Sequence, residues 1–251
     1  MLKKHHSNYF EYQYIVTKTF FESIWDKKHT VRQAAEICMH KMQDYLDGGI
    51  NTVIIYTIIL EKVQRYGRKE DKNILQYYLK ELEEVKEIIS HLNVDDYLDT
   101  NEKEFLSDDI GWLEPYLPSL ELREEEIEAN LQSYASYFEY RYLVTEHFYE
   151  LLLDENYTTG QAAGRCFCEI LRDREIDTVI VYVAIIKLAI EHDKKELKYW
   201  LKDWEKAKEM MNHLNVDDFL NKKEKDSLLS DINYIKEAVN SLKNEKGGEG
   251  K

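Results

Sequence analysis

Apolar residues in this chain recur every three to four positions rather than every second one. Leu75, Leu79, Leu82, Val85 and Ile89 form one such stripe, and Leu106, Ile110, Leu113 and Leu117 form another. A period of 3.6 puts each set on one face of a helix, whereas a strand needs strict alternation. The run Val53, Ile54, Ile55, Ile58, Ile59 and Leu60 is apolar almost all round, as expected of a central helix in a bundle. The patterns return later in Leu197, Leu201, Trp204, Ala207 and Met211, then in Leu228, Ile232, Ile235 and Val239. An all-α fold is predicted.

The recurrence extends to identity. YFEYQYIVTKTF at 9–20 returns as YFEYRYLVTEHF at 137–148, with 8 of 12 residues the same. INTVIIY at 50–56 returns as IDTVIVY at 176–182, with 5 of 7 the same. Residues 73–98 match 195–220 at 14 of 26 positions, ending in HLNVDDYL and HLNVDDFL. The offset falls from 128 to 126 to 122, and both losses land in expected loops, near Asp47-Gly48-Gly49 and near Tyr66–Asp71.

The chain is therefore read as two tandem copies of a roughly five-helix bundle domain, 1–119 and 120–251. The second opens with a helical linker over 120–136 and closes with a disordered tail over 245–251. An aromatic first helix is expected over about 8–26 and 131–154. The next helix starts at Thr30 or Thr158, each followed three residues later by Gln33 or Gln161, the spacing of a capping box. Pro115 and Pro118 should stop the last helix of the first copy.

Composition agrees. Only 9 Gly and 2 Pro leave little material for turn-rich β architecture. The formal net charge is −15 and is shared: 16 basic against 24 acidic residues in 1–125 give −8, and 18 against 25 in 126–251 give −7. Such a field repels nucleic acid and anionic lipid, so neither is an expected partner, and it attracts basic proteins. Solubility alone is the plainer account of it.

Cys38, Cys166 and Cys168 form no even framework and read as reduced, small core residues. Met1–His6 is followed by no apolar h-region, so no secretory signal is expected and the cytoplasm is the expected compartment. The stretch Thr52–Leu60 is too short to span a bilayer, which needs about 20 residues.

Candidate chemistry centres on His91-Leu92-Asn93-Val94-Asp95-Asp96, repeated as His213 to Asp218. A histidine beside two carboxylates suits a metal or an acid–base pair. A structural account uses the same residues: His91 favours the helix dipole, Asn93 takes a left-handed C′ position, and Asp95 caps the next short helix. One His per copy is short of the usual zinc set, so no metal and no cofactor are expected. Glu11 and Glu139 stand among aromatics, where a carboxylate either binds a ligand or accepts from a Tyr hydroxyl. Cys166 and Cys168, two apart on a helix, point to different faces and make no redox pair.

Nucleophile elbows, phosphate-cradling loops and paired-His zinc motifs are absent from the sequence. What remains unusual is 19 Tyr and 4 Trp beside acids. Tyr97 with Asp95, Asp96 and Asp99, and Trp112 with Asp108 and Asp109, are expected partner-binding clusters. Asp217 and Asp218, Glu11 and Glu139 complete the set of candidate contact residues.

The aromatic first helix, the Gln-Ala-Ala segments at 33–35 and 161–163, and the apolar helix ending in a charged tip resemble small immunity proteins of bacterial polymorphic-toxin systems. The resemblance covers nearly the whole chain in helical patterning and composition. It implies a non-enzymatic, cytoplasmic inhibitor that binds a cognate toxin domain, basic in charge and in many systems a nuclease. It carries no site residues. Two alternatives stand beside it: a helical scaffold or regulatory module using a groove, and an enzyme using the duplicated His–Asp turn.

Overall fold

The computed structural model describes residues 9–25, 29–46, 48–67, 78–113, 137–153, 157–170, 172 and 174–248. Every regular element among them is helical, as the 3.6-residue stripes predict. The chain divides into two compact units, Met1–Ser133 and Tyr134–Lys251. The expected linker over 120–136 lies outside the described residues, and Tyr137, the residue after it, is helical.

The first unit contains α1 (Tyr9–Trp25), α2 (Val31–Met42), α3 (Ile50–Tyr66), α4 (Leu79–His91) and α5 (Thr100–Gly111). Helix α3 packs against each of the other four, which explains why it is apolar on all sides. Val53, Ile54, Ile55, Ile58, Ile59 and Leu60 are fully buried, each contributing about 1.5–3 kcal/mol of hydrophobic burial. Val16, Phe20 and Phe21 of α1 and Ala34, Ala35 and Cys38 of α2 complete this core. The small, fully buried Ala34 and Ala35 let α2 approach closely.

The second unit contains α6 (Tyr137–Leu153), α7 (Thr159–Glu169), α8 (Glu175–His192), α9 (Leu197–His213) and α10 (Lys222–Gly248). Helix α8 plays the central part, packing against α6, α7, α9 and α10. Its residues from Val179 to Ile186 are buried without interruption.

Local chemistry sets the boundaries. The Thr30 hydroxyl accepts from the Gln33 N–H at 3.2 Å and the Gln33 amide accepts from the Thr30 N–H at 3.0 Å. Thr158 and Gln161 repeat this at 3.3 and 2.9 Å, so both expected capping boxes form. The turn into α3 relies on Gly48, whose φ of 71° lies in the left-handed region that favours glycine. The second copy has lost two residues there, and α8 starts instead from Arg174, whose N–H donates to Asp177 at 3.1 Å.

Two expectations need correction. The tail expected to be disordered from 245 is helical as far as Gly248, because extending a formed helix adds one hydrogen bond per residue without a new nucleation cost. Cys168 is exposed, although Cys166 and Cys38 are buried. Two residues is just over half a helical turn, so Cys168 points away from the core its neighbour enters. Burial pushes the Cys38 and Cys166 thiols up to about 12, which keeps them protonated and inert.

Gly164 sits inside α7 where the first copy has Glu36, and a Cβ built there meets nothing within 4 Å. Gly164→Ala is expected to stabilise the second unit by about 0.5–1 kcal/mol, read from the urea midpoint by far-UV circular dichroism.

Candidate functional site

The duplicated histidine–aspartate turn is built the same way in both units. Helix α4 ends at His91, Val94–Asp96 form a single 3-10 turn, and α5 begins at Thr100. In the second unit α9 ends at His213, Val216–Asp218 form the turn and α10 begins at Lys222. One leucine anchors each turn, Leu98 in the first and Leu220 in the second, both buried. Burying that leucine turns the preceding residues outward: His91, Asn93, Asp96 and Tyr97, and His213, Asn215, Asp217, Asp218 and Phe219, are all exposed. Asp95 lies in the same turn, its side chain outside the described part.

The capping differs from the sequence expectation. Asp99, not Asp95, is the helix cap: its carboxylate accepts from the Glu102 N–H at 2.9 Å, and Glu102 accepts from the Asp99 N–H at 3.0 Å. Asn221 and Glu224 reciprocate in the same way at 3.1 and 3.0 Å. The box needs a Glu or Gln three residues on, which Asp99 has in Glu102 and Asp95 lacks in Leu98. Asn215, the counterpart of Asn93, is extended at φ −84° rather than left-handed. Its amide donates to Asp218 at 2.9 Å, while Asp217 pairs with Lys225.

Tyr97 is 39% exposed and Phe219, at the matching position, is 43% exposed. Trp112 at 47% is matched by Tyr234 at 36%. Phe219 and Tyr234 were not among the sequence candidates, although the repeat pairs them with Tyr97 and Trp112. Three of these rings already meet a cation: Arg65 lies 5.6 Å from the Trp112 centroid, Arg174 5.9 Å from Phe219 and Lys187 5.9 Å from Tyr234. These are cation–π distances, within about 6 Å.

Not every expected contact residue is at the surface. Asp108 is exposed and Glu11 half-buried, but Asp109 and Glu139 are each only 7% exposed. Asp109 is one position beyond Asp108, about 100° further round α5, which turns it into the core. There it accepts from the Tyr9 hydroxyl at 2.7 Å and from the Gln13 amide. Glu139 is likewise on the inner face of α6. Neither carboxylate is part of an exposed cluster.

Asp109 belongs instead to a buried polar node that also recurs. In the second unit the Tyr137 hydroxyl donates to Asp231 at 2.6 Å, the counterpart of Tyr9 to Asp109. The surroundings differ in charge. Gln13 in the first unit is matched by Arg141, whose guanidinium lies 2.9 Å from Asp231, and Glu61 is matched by Lys187, 2.8 Å from Asp231. Burial pushes the Asp231 carboxyl up, but Arg141 and Lys187 outweigh this and hold it below the usual carboxylate range. In the first unit burial and the Asp109 carboxylate raise the Tyr9 phenol well above its ordinary value, so it stays a neutral donor. Both nodes tie the first helix of a unit to its last.

Among the described residues no group of three or more His, Cys, Asp and Glu is placed to hold a metal ion. None of the described helices is long and apolar enough to cross a membrane. Comparison with protein-family models, curated proteins and solved structures gives no match.

Proposed function

We propose that this chain is a tandem duplication of one five-helix domain and that it works by docking, as a non-enzymatic cytoplasmic inhibitor of a basic toxin domain. The observation that carries this reading is the acid–aromatic turn, His91–Leu98 and His213–Leu220, projected into solvent in both units. An exposed ring flanked by carboxylates offers a large, rigid contact surface together with attraction for Lys and Arg. The net charge of −15 extends that attraction beyond contact range and steers a basic partner inward. The resemblance to immunity proteins of polymorphic-toxin systems supplies the class of partner.

The test takes as partner a basic toxin domain that the chain inhibits. Its association rate with the chain, measured from about 50 to about 500 mM salt, should fall by roughly tenfold or more. A rate flat across that range removes the electrostatic argument. Joint substitution of the turns (Asp96→Asn, Tyr97→Ala, Asp217→Asn, Phe219→Ala) should raise Kd by about tenfold or more. The His91→Ala, His213→Ala variant should inhibit as the parent does, since neither imidazole has a chemical role.

A further inference from the structure

A second surface in the Tyr134–Lys251 unit has chemistry that the turns do not use. Between the start of α7 and the first turns of α9 lies a hollow of about 490 Å³, lined by Thr158, Gly160, Glu196, Tyr199, Trp200 and Asp203 among others. Its charged lining side chains, Glu196 and Asp203, are both carboxylates. Tyr199 is 66% exposed, the most of any large apolar side chain among the described residues. The Trp200 indole N–H is buried with no hydrogen-bond partner among the described residues.

The start of a helix ordinarily attracts an anion, but here one is already in place. Glu196 lies so close to α7 that a Cβ on Gly160 would stand 2.6 Å from its carboxylate oxygen. Burial and nearby Asp193 push the Glu196 carboxyl above its ordinary value against the opposing pull of Lys198, the mark of a carboxylate short of positive charge. Lys198 also lies 4.6 Å from the Tyr199 ring centroid, a cation–π distance. A planar cation that stacks and donates in several directions meets an indole, a phenol and two carboxylates at once. At the positions matching Glu196 and Trp200 the first copy has Ile74 and Tyr78, so the set belongs to the second copy alone.

We propose that this hollow is a guanidinium subsite, filled by an arginine side chain of the basic protein partner. The assignment rests on the docking reading above and adds the residue type recognised.

The test titrates the full chain with N-acetylarginine methylamide and follows the Trp200 indole N–H resonance, identified by its loss in Trp200→Phe. A saturable shift in the millimolar range is expected for so small a ligand. The citrulline analogue, equal in shape but uncharged, should not produce it, and the joint variant Glu196→Gln, Asp203→Asn should weaken it by about tenfold or more. Equal responses to arginine and citrulline, or no saturable shift, overturn the assignment. Arginine binding that persists while toxin association proves insensitive to salt would sink the steered-inhibitor reading and leave the subsite standing.

Discussion

Asp231→Ala is expected to destabilise the Tyr134–Lys251 unit by about 3–5 kcal/mol, because it takes the carboxylate away from the buried Arg141 guanidinium and leaves the half-buried Lys187 with Glu191 at 3.5 Å. Arg141 is 1% exposed and lies 2.9 Å from one Asp231 oxygen, and Lys187 lies 2.8 Å from the other. The Tyr137 hydroxyl loses its acceptor as well. Against a total of about 5–15 kcal/mol for an ordinary domain, this is a large fraction. Trp200 and Trp204 report on this unit, and urea unfolding followed by their fluorescence measures the loss. A cost below about 1 kcal/mol would mean that the node is solvated and weak.

The same carboxylate sets a pH dependence. Its folded-state pKa is lowered from an ordinary 3.8, so the stabilisation it brings is present above that value and is lost as pH falls through the folded one. Acid unfolding of the parent should therefore carry this contribution below about pH 4, and Asp231→Asn, already weakened at neutral pH, should show a flatter profile there.

In the first unit the expected large effect is at Glu61. Lys62 is fully buried, with its ammonium 3.0 Å from Glu61, and Arg65 approaches the same carboxylate at 3.7 Å. Glu61→Ala should cost about 3–5 kcal/mol by removing the carboxylate that lies 3.0 Å from this buried ammonium. Replacing the pair together, Glu61→Leu with Lys62→Leu, should recover most of that loss, since well-packed apolar residues often equal or exceed a buried ion pair. The second copy already carries Leu188 where the first has Lys62. Urea unfolding of the single and double variants decides it: a double variant as unstable as the single one means the charges are not coupled.

The helices were legible in the sequence because their determinants are local. The capping boxes at Thr30 and Thr158 follow from two side chains three residues apart, and the apolar run at 53–60 marks a helix covered on every side. The end of α5 is less simple. Its stripe includes Leu113, which is buried, yet the helix stops at Gly111, where the second copy has Asn233 and α10 continues. Leu117, Pro115 and Pro118 lie outside the described residues. A 3.6-residue stripe identifies the inward face of a segment, but a non-helical turn can bury its last member too.

Candidate contact residues were harder to place. Asp108 and Asp109 are neighbours in sequence, and only the register of α5 makes one a surface acid and the other a buried acceptor for Tyr9. Phe219 was legible through its match with Tyr97, but its exposure depends on Leu220 taking the core position beside it. The Arg141–Asp231–Lys187 node joins residues up to 90 positions apart, which no local pattern predicts.

The sequence by itself determined that this chain is helical, where α2 and α7 begin and that its pattern occurs twice, since periodicity, capping and repetition act over a few residues or by direct identity. The tertiary structure decided which acids are buried and paired, which rings meet solvent and where a glycine makes room for a carboxylate. Those outcomes depend on which helix face meets which neighbour across long separations. The energy of a charge is fixed by what surrounds it in space.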